Sequence, residues 1–293
     1  MSAFLFIIVA LAWGFTWYAI HLQLGTTPDI VSIFWRFLVA SGLMWLGLAA
    51  SGRLKAAPLR QHLWFAALGL TLFSGNFTLI YGSEHYVPSG LVAVIFSMAS
   101  IFNAVNQWCF QSVRPSSRAL LGGVIGVLGV LCLFGNHIVA PAGEHYMRGI
   151  MLALAGTYLF STGNLMSRKA CQQGVDLPNA IARGMSWGTI FLALLIVIRG
   201  QTIVPQMDPA YLGGLIYLAI IGSVVGFLAY LSLIARVGPT KAAYVTVISP
   251  VIALLVSSLL EGYDWAPLAS AGIGLIILGN IVIFYPARRP QLS

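Results

Sequence analysis

The chain has 293 residues, 59% hydrophobic and only 8% charged, with a formal net charge of +8 and a mean hydropathy of +0.91. A soluble domain carries about 25% charged residues, so the composition excludes a water-soluble globule and points to an integral membrane protein. Cys109, Cys132 and Cys171 lie within or at the ends of apolar segments; they offer neither a disulfide framework nor a zinc site, both of which need paired spacing, and no cofactor or metal is expected.

In chain order, apolar segments are predicted at 3–23, 30–51, 62–84, 88–111, 118–135, 148–170, 179–199, 211–235, 240–260 and 267–285. About 20 apolar residues suffice to cross a bilayer as a helix, so the reading is all-α with ten transmembrane helices. The connections are short, and Pro28, Pro58, Pro88, Pro115, Pro178, Pro239 and Pro267 interrupt the pattern between segments. The amino terminus has no basic stretch before its first apolar run, so a cleaved signal peptide is not expected.

Charge orients these segments. With the amino terminus in the cytoplasm, the inner side holds Arg53, Lys55, Arg60, Arg114, Arg118, Arg168, Lys169, Arg236, Lys241, Arg288 and Arg289. The outer side holds Arg148 and Arg199, while Arg36 and Arg183 lie within helices. This is a positive-inside pattern with both termini cytoplasmic. Basic residues placed between apolar runs serve topology and lipid headgroups, so the partners expected are the bilayer and a small-molecule substrate, not nucleic acid.

The segment Pro239 to Glu261 has an echo at Pro88 to Gln111. A slide of about 150 residues superposes Pro88 on Pro239, Gly122 on Gly272, Gly129 on Gly279, Gly75 on Gly226 and Arg36 on Arg183. The chain reads as a duplication: a first five-helix repeat over 1–137 and a second over 146–286. Five crossings turn the second copy upside down, giving inverted-topology repeats, an arrangement that places a substrate near the midplane between the halves.

Two tandem five-helix repeats, a Pro-led fourth helix ending in an acid (Leu259-Leu260-Glu261) and the glycines Gly272 and Gly279 resemble the EamA type of the drug/metabolite transporter superfamily. Asn164 to Lys169 resembles that family's sixth helix and Trp13-Gly14 its first. The resemblance implies an exporter of amino acids or other small metabolites, with the aromatic amino-acid exporters as the nearest branch. The first repeat departs from the family pattern, with Gln111 in place of the acid and Ala99 in place of a proline.

Polar and aromatic side chains mark a candidate cavity. Trp13 and Trp17 share a face of the first helix with Thr16, away from the interfacial belts where tryptophan is usual. Asn76, Thr78 and Tyr81 follow on the third helix, and Ser97 and Asn103 on the fourth. Tyr158, Ser161 and Asn164 lie on the sixth, and Tyr244 and Ser249 on the ninth, with Pro250 as a hinge. Hydroxyls and small residues also cement helix pairs in lipid, so packing competes with cavity lining at each position. Such a cavity is neutral and aromatic-walled, suited to a zwitterion with an apolar side chain. Arg36 and Arg183 are expected to snorkel or to cap helix ends.

No Asp or Glu falls near a mid-span; Glu84, His85 and Glu261 sit at outer helix ends. Transport is therefore expected to be passive, down the substrate gradient, or coupled only weakly. No constellation of paired acids, clustered histidines or an activated serine suggests an enzyme. A channel-like facilitator or a lipid flippase remains the alternative on the same fold. Gly122, Gly126 and Gly129, like Gly272 and Gly279, suggest close packing, expected within each repeat. Oligomeric state stays open.

Overall fold

The computed structural model describes residues 2–112, 114–135, 143–171, 174–237, 245–262 and 267–284. Among these residues the chain is helical, with no strand. The helices are α1 (Ser2–His21), α2 (Asp29–Ala50), α3 (Leu59–Glu84), α4 (Ser89–Gln111) and α5 (Ser117–Gly135). They continue as α6 (Gly143–Ala170), α7 (Leu177–Ile198), α8 (Pro209–Ile216, running on through Tyr217–Val225 and Gly226–Val237), α9 (Val245–Leu260) and α10 (Pro267–Phe284). Helices α1 to α4 and α6 to α8 contain stretches long and apolar enough to cross a membrane. Helices α5, α9 and α10 hold shorter apolar stretches: Ser117–Cys132, Ile248–Leu260 and Ser270–Ile283.

Local chemistry sets the helix starts. Asp176 caps α7 by accepting from the Asn179 backbone N–H, and Asp208 caps α8 by accepting from that of Tyr211; in each, a proline at the first turn supplies a fixed φ where no N–H is needed. The exposed faces are apolar: Leu120, Leu121, Val124 and Val127 on α5, and Leu194, Val197 and Ile198 on α7. An apolar surface of this extent suits lipid as solvent.

The two halves interlock antiparallel. At one end of the α2–α7 pair, Trp45 Nε1 donates to Ser186 Oγ at 2.9 Å and the Lys55 N–H donates to Asn179 Oδ1 at 3.0 Å. At the other end, Trp35 Nε1 reaches the carbonyl of Ile203 just beyond α7, at 2.8 Å. Helices α5 and α10 also cross antiparallel. Gly122 faces Gly279, and a Cβ on Gly129 would lie 2.6 Å from the Gly272 carbonyl oxygen. These glycines join the two repeats, where packing within each repeat was expected; Gly126 also turns toward its own repeat, against Met98 and Ile101 of α4. The exchange is reciprocal: α1 packs on α8 and α9, and α6 on α3 and α4.

Equivalent distortions recur in both halves. Helix α3 widens to π-helical turns over Gly69–Gly75, and α8 over Tyr217–Val225. In each, a serine hydroxyl donates to the carbonyl five residues back: Ser74 to Gly69 at 3.0 Å and Ser223 to Leu218 at 2.8 Å. Such bulges gather at functional positions. Helix α4 tightens at Ser97 and Met98, whose N–H groups reach carbonyls three residues back. Pro250, inside α9, occupies the matching place in the second repeat.

Candidate functional site

The bundle has two chemically distinct ends. One gathers Asp29, Glu84, His85, Glu144, Asp208 and Glu261 near the helix termini; it is called the acidic end. The other gathers Arg53, Lys55, Arg114, Arg168, Lys169 and Asp176, and is called the basic end. At the acidic end Ser89, opening α4, gives both its backbone N–H (3.0 Å) and its hydroxyl to the Glu261 carboxylate that closes α9. His85 pairs with Asp29 at 3.0 Å beside it. In the half of α4 behind this latch, residues 89–95 are all buried, whereas Ser100 to Ala104 are only half-buried. The latch therefore closes the acidic end between α4 and α9.

Inward from the latch, rings from three helices meet. Trp17 of α1 lies edge-on to Phe96 of α4 at 5.1 Å, and Phe96 meets Phe160 of α6 at 4.6 Å. One turn further along α6, where Asn164 shares the face of Phe160, an amide cluster joins α4 and α6. Asn106 Nδ2 donates to Ser161 Oγ at 2.8 Å, and Ser161 Oγ donates to Asn103 Oδ1 at 3.0 Å. Asn164 Nδ2 also donates to Asn103 Oδ1, at 3.3 Å. This assignment leaves the Asn103 amide N–H and the Asn164 amide oxygen available, one donor and one acceptor beside aromatic faces. Such a set can bind the carboxylate and ammonium of a zwitterion and hold an apolar side chain against rings.

The structure thus unites Trp17, Asn103, Ser161 and Asn164. Ser97 lies one step away: it accepts from Asn280 Nδ2 of α10 at 3.0 Å, while Ser100 Oγ donates to Asn280 Oδ1 at 2.6 Å. Asn280 therefore clamps the bend in α4. Trp13 packs elsewhere, against Tyr230 at 4.9 Å and Phe227 at 5.8 Å of α8, where Gly226 leaves room for its indole. Asn76 is buried and donates to the Leu72 carbonyl at 3.3 Å. Thr78 donates to Ser74 and lines a cleft of about 310 Å³ at the acidic end, with Asp29, His85, Arg199 and Gln201. Tyr158 is 41% exposed and stands edge-on to Phe102, apart from the amides. Ser249 is buried on α9, with its carbonyl facing Gly14 of α1. Tyr244 lies outside the described residues.

The reading from sequence missed Phe96, Phe160, Asn106 and Asn280. An isolated aromatic or amide in an apolar run looks like packing until its neighbours are known. It also expected Arg36 and Arg183 to be alike. Arg183 does cap: it gives its N–H groups to the carbonyls of Lys55 and Asn179. Arg36 instead points into the core, 4% exposed, with Nε donating to Ser223 Oγ at 3.3 Å. Glu84, placed at an outer helix end, is only 6% exposed.

At the basic end Asp176 binds Lys55 at 3.4 Å and accepts from Asn179 at 2.7 Å. Burial pushes its carboxyl up, but hydrogen bonds from Asn179 and Lys55 outweigh that and hold it below the ordinary aspartate value.

Among the described residues, an all-helical bundle with apolar outer faces and interlocked antiparallel halves has the architecture of an integral membrane protein. The chain belongs to the EamA-like transporter family, whose model matches residues 1–135 and 147–285. Its relatives agree. It is 26% identical to an inner membrane transporter of Escherichia coli (strain K12), YedA, over 94% of this chain and 90% of that protein. It is 25% identical to a probable amino-acid metabolite efflux pump of Salmonella typhimurium, over 100% of this chain and 98% of that one. A probable terminal-alkyne amino-acid exporter of Streptantibioticus cattleyicolor is 26% identical, over 74% of this chain and 71% of that protein. The fold is shared with a crystal structure at a TM-score of 0.66 and 16% identity, covering 96% of this chain and 95% of that one.

Proposed function

We propose that the chain is an inner-membrane exporter of neutral amino acids, aromatic ones among them, working by alternating access. Ten helices cross the bilayer as two inverted repeats, 1–137 and 146–286, with both termini and the basic end in the cytoplasm. Substrate enters from the basic end, rests against Trp17, Phe96 and Phe160, and is held by the free amide groups of Asn103 and Asn164. The observation that carries this reading is the amide cluster between α4 and α6, one helix from each half, set beside the ring triad. A rocking of the halves would remake these contacts and open the latch. The names of two relatives, an amino-acid metabolite efflux pump and an amino-acid exporter, support the substrate class.

The test is a counterflow panel on purified protein in liposomes, comparing aromatic, aliphatic and charged amino acids. Saturable counterflow of phenylalanine and other neutral amino acids, without counterflow of lysine or glutamate, is the expected result. Continuous conductance without saturation would mean a channel, and lipid movement without amino-acid flux a flippase; either would overturn the reading.

A further inference from the structure

Two arginines occupy equivalent places in the repeats, and they are partnered differently. Arg183 spends its guanidinium on the carbonyls of Lys55 and Asn179. Arg36 donates to Ser223 Oγ, lies over the Phe77 ring at 4.3 Å with the Tyr81 hydroxyl beside it, and leaves Nη1 buried without a partner. Within its electrostatic reach stands Glu84, whose two carboxyl oxygens are both buried and both without a hydrogen bond. Gln23 completes the group. Its Oε1 accepts from the fully buried Tyr81 hydroxyl at 2.7 Å, and its Nε2 has no partner. The second repeat has Ala235 at the position 151 residues beyond Glu84, so the acid belongs to one half only.

A desolvated carboxylate without donors is costly, and a buried ion pair repays that cost only with good hydrogen-bond geometry. Neither partner here has it. An ionisable group buried inside a membrane protein is a candidate functional group, ion binding among its roles.

We propose that Glu84 binds the proton whose gradient drives export, with Arg36 as its counter-ion. This rests on the reading of the chain as an alternating-access carrier, and it replaces the passive transport expected from sequence. The charged groups that act on the carboxyl are Glu261 of α9 and Asp29 and Arg36 of α2; Tyr81, one turn back on α3, lies between it and Tyr211 of α8, and His85 pairs with Asp29. On α6, His145 and Arg148 are engaged by the Tyr86 ring, at 6.1 and 5.2 Å. Glu261 holds the Ser89 latch and Asp29 holds His85, so both neighbouring acids are occupied in closing the acidic end over Glu84. When the latch opens, water reaches Glu84 and its carboxylate takes a proton. The latch then closes over a neutral acid. The proton leaves to water on the cytoplasmic side before the next substrate is carried out, so one proton moves inward per substrate exported.

Infrared spectroscopy on the protein in lipid nanodiscs tests the site without any substrate. A protonated-carboxyl band that vanishes on alkalinisation is expected in the wild type and absent from Glu84→Gln, an isostere of the neutral acid. Asp29→Asn and Glu261→Gln should each keep the band, and they decide the assignment if Glu84→Gln is not recovered folded. No such band, or its persistence in Glu84→Gln, overturns the proposal. In liposomes, a gradient of one pH unit should let the wild type accumulate phenylalanine about tenfold, the limit for one proton exchanged. Glu84→Gln should equilibrate phenylalanine without accumulating it. A wild type that equilibrates phenylalanine yet ignores the gradient also overturns the proposal. A wild type that moves no phenylalanine overturns the amino-acid reading instead, and the infrared band then decides the proton site.

Discussion

At the scale of single residues, the amide cluster and the ring triad make separate demands. A neutral hydrogen bond is worth about 0.5–1.5 kcal/mol, so Asn164→Ala should lower the rate of phenylalanine counterflow about two- to tenfold. Trp17→Ala should do the same by removing the edge contact with Phe96. Both variants should express and purify as the wild type does, because each side chain is only half-buried; unchanged flux in both would remove the site. Asp176 gives a pH-dependent prediction. Its carboxyl is held below the ordinary value, so its contribution is present above the unfolded-state pKa of about 3.9 and is lost as pH falls through the lower folded value. Asp176→Asn should therefore lower the thermal midpoint at pH 7 and converge with the wild type in strong acid, read by melting curves across pH.

What the sequence disclosed at this scale was uneven, for a physical reason. That Asn103, Ser161 and Asn164 would meet was legible because polar groups recur at helical spacing on one face. Glu84 was not. A residue at a helix end reads as interfacial, and whether it turns to water or inward depends on neighbours far away in sequence, here Arg36 and the Ser89–Glu261 latch. Asn280 was hidden likewise, since its partners Ser97 and Ser100 lie about 180 residues earlier.

At the scale of helices, the repeat was the most legible feature. The match of Gly75 with Gly226 falls on the ends of two π-helical stretches, and that of Arg36 with Arg183 on two 22-residue antiparallel helices. The partner of each glycine surface was not legible, because a small-residue stripe says that something approaches closely without saying what. Since Gly129 meets the backbone of α10, Gly129→Leu should force α5 and α10 apart at a cost of about 1–3 kcal/mol. Thermal unfolding of the purified protein should show the lowered midpoint, and Gly274→Leu, where a Cβ meets nothing within 4 Å, should not. The bend in α4 makes a matching demand. Asn280→Leu removes the clamp on Ser97 and Ser100 and should slow counterflow with little change in apparent affinity, because it touches the moving helix and not the amide cluster.

At the scale of the whole molecule, everything depends on two halves of opposite sense sharing one membrane. The structure shows equivalent helices crossing antiparallel and charge divided between two ends; the proposed place of the bilayer rests on the positive-inside rule. The direct measurement is labelling of single cysteines by an impermeant maleimide on intact cells, in a chain with Cys109, Cys132 and Cys171 replaced by serine. Cysteines at Thr26, Glu144 and Thr202 should label from outside. Those at Ala56, Arg114 and Lys169 should label only after the membrane is opened. Labelling of positions 56 and 169 from opposite faces would contradict the inverted arrangement, and the shared pocket could not survive it.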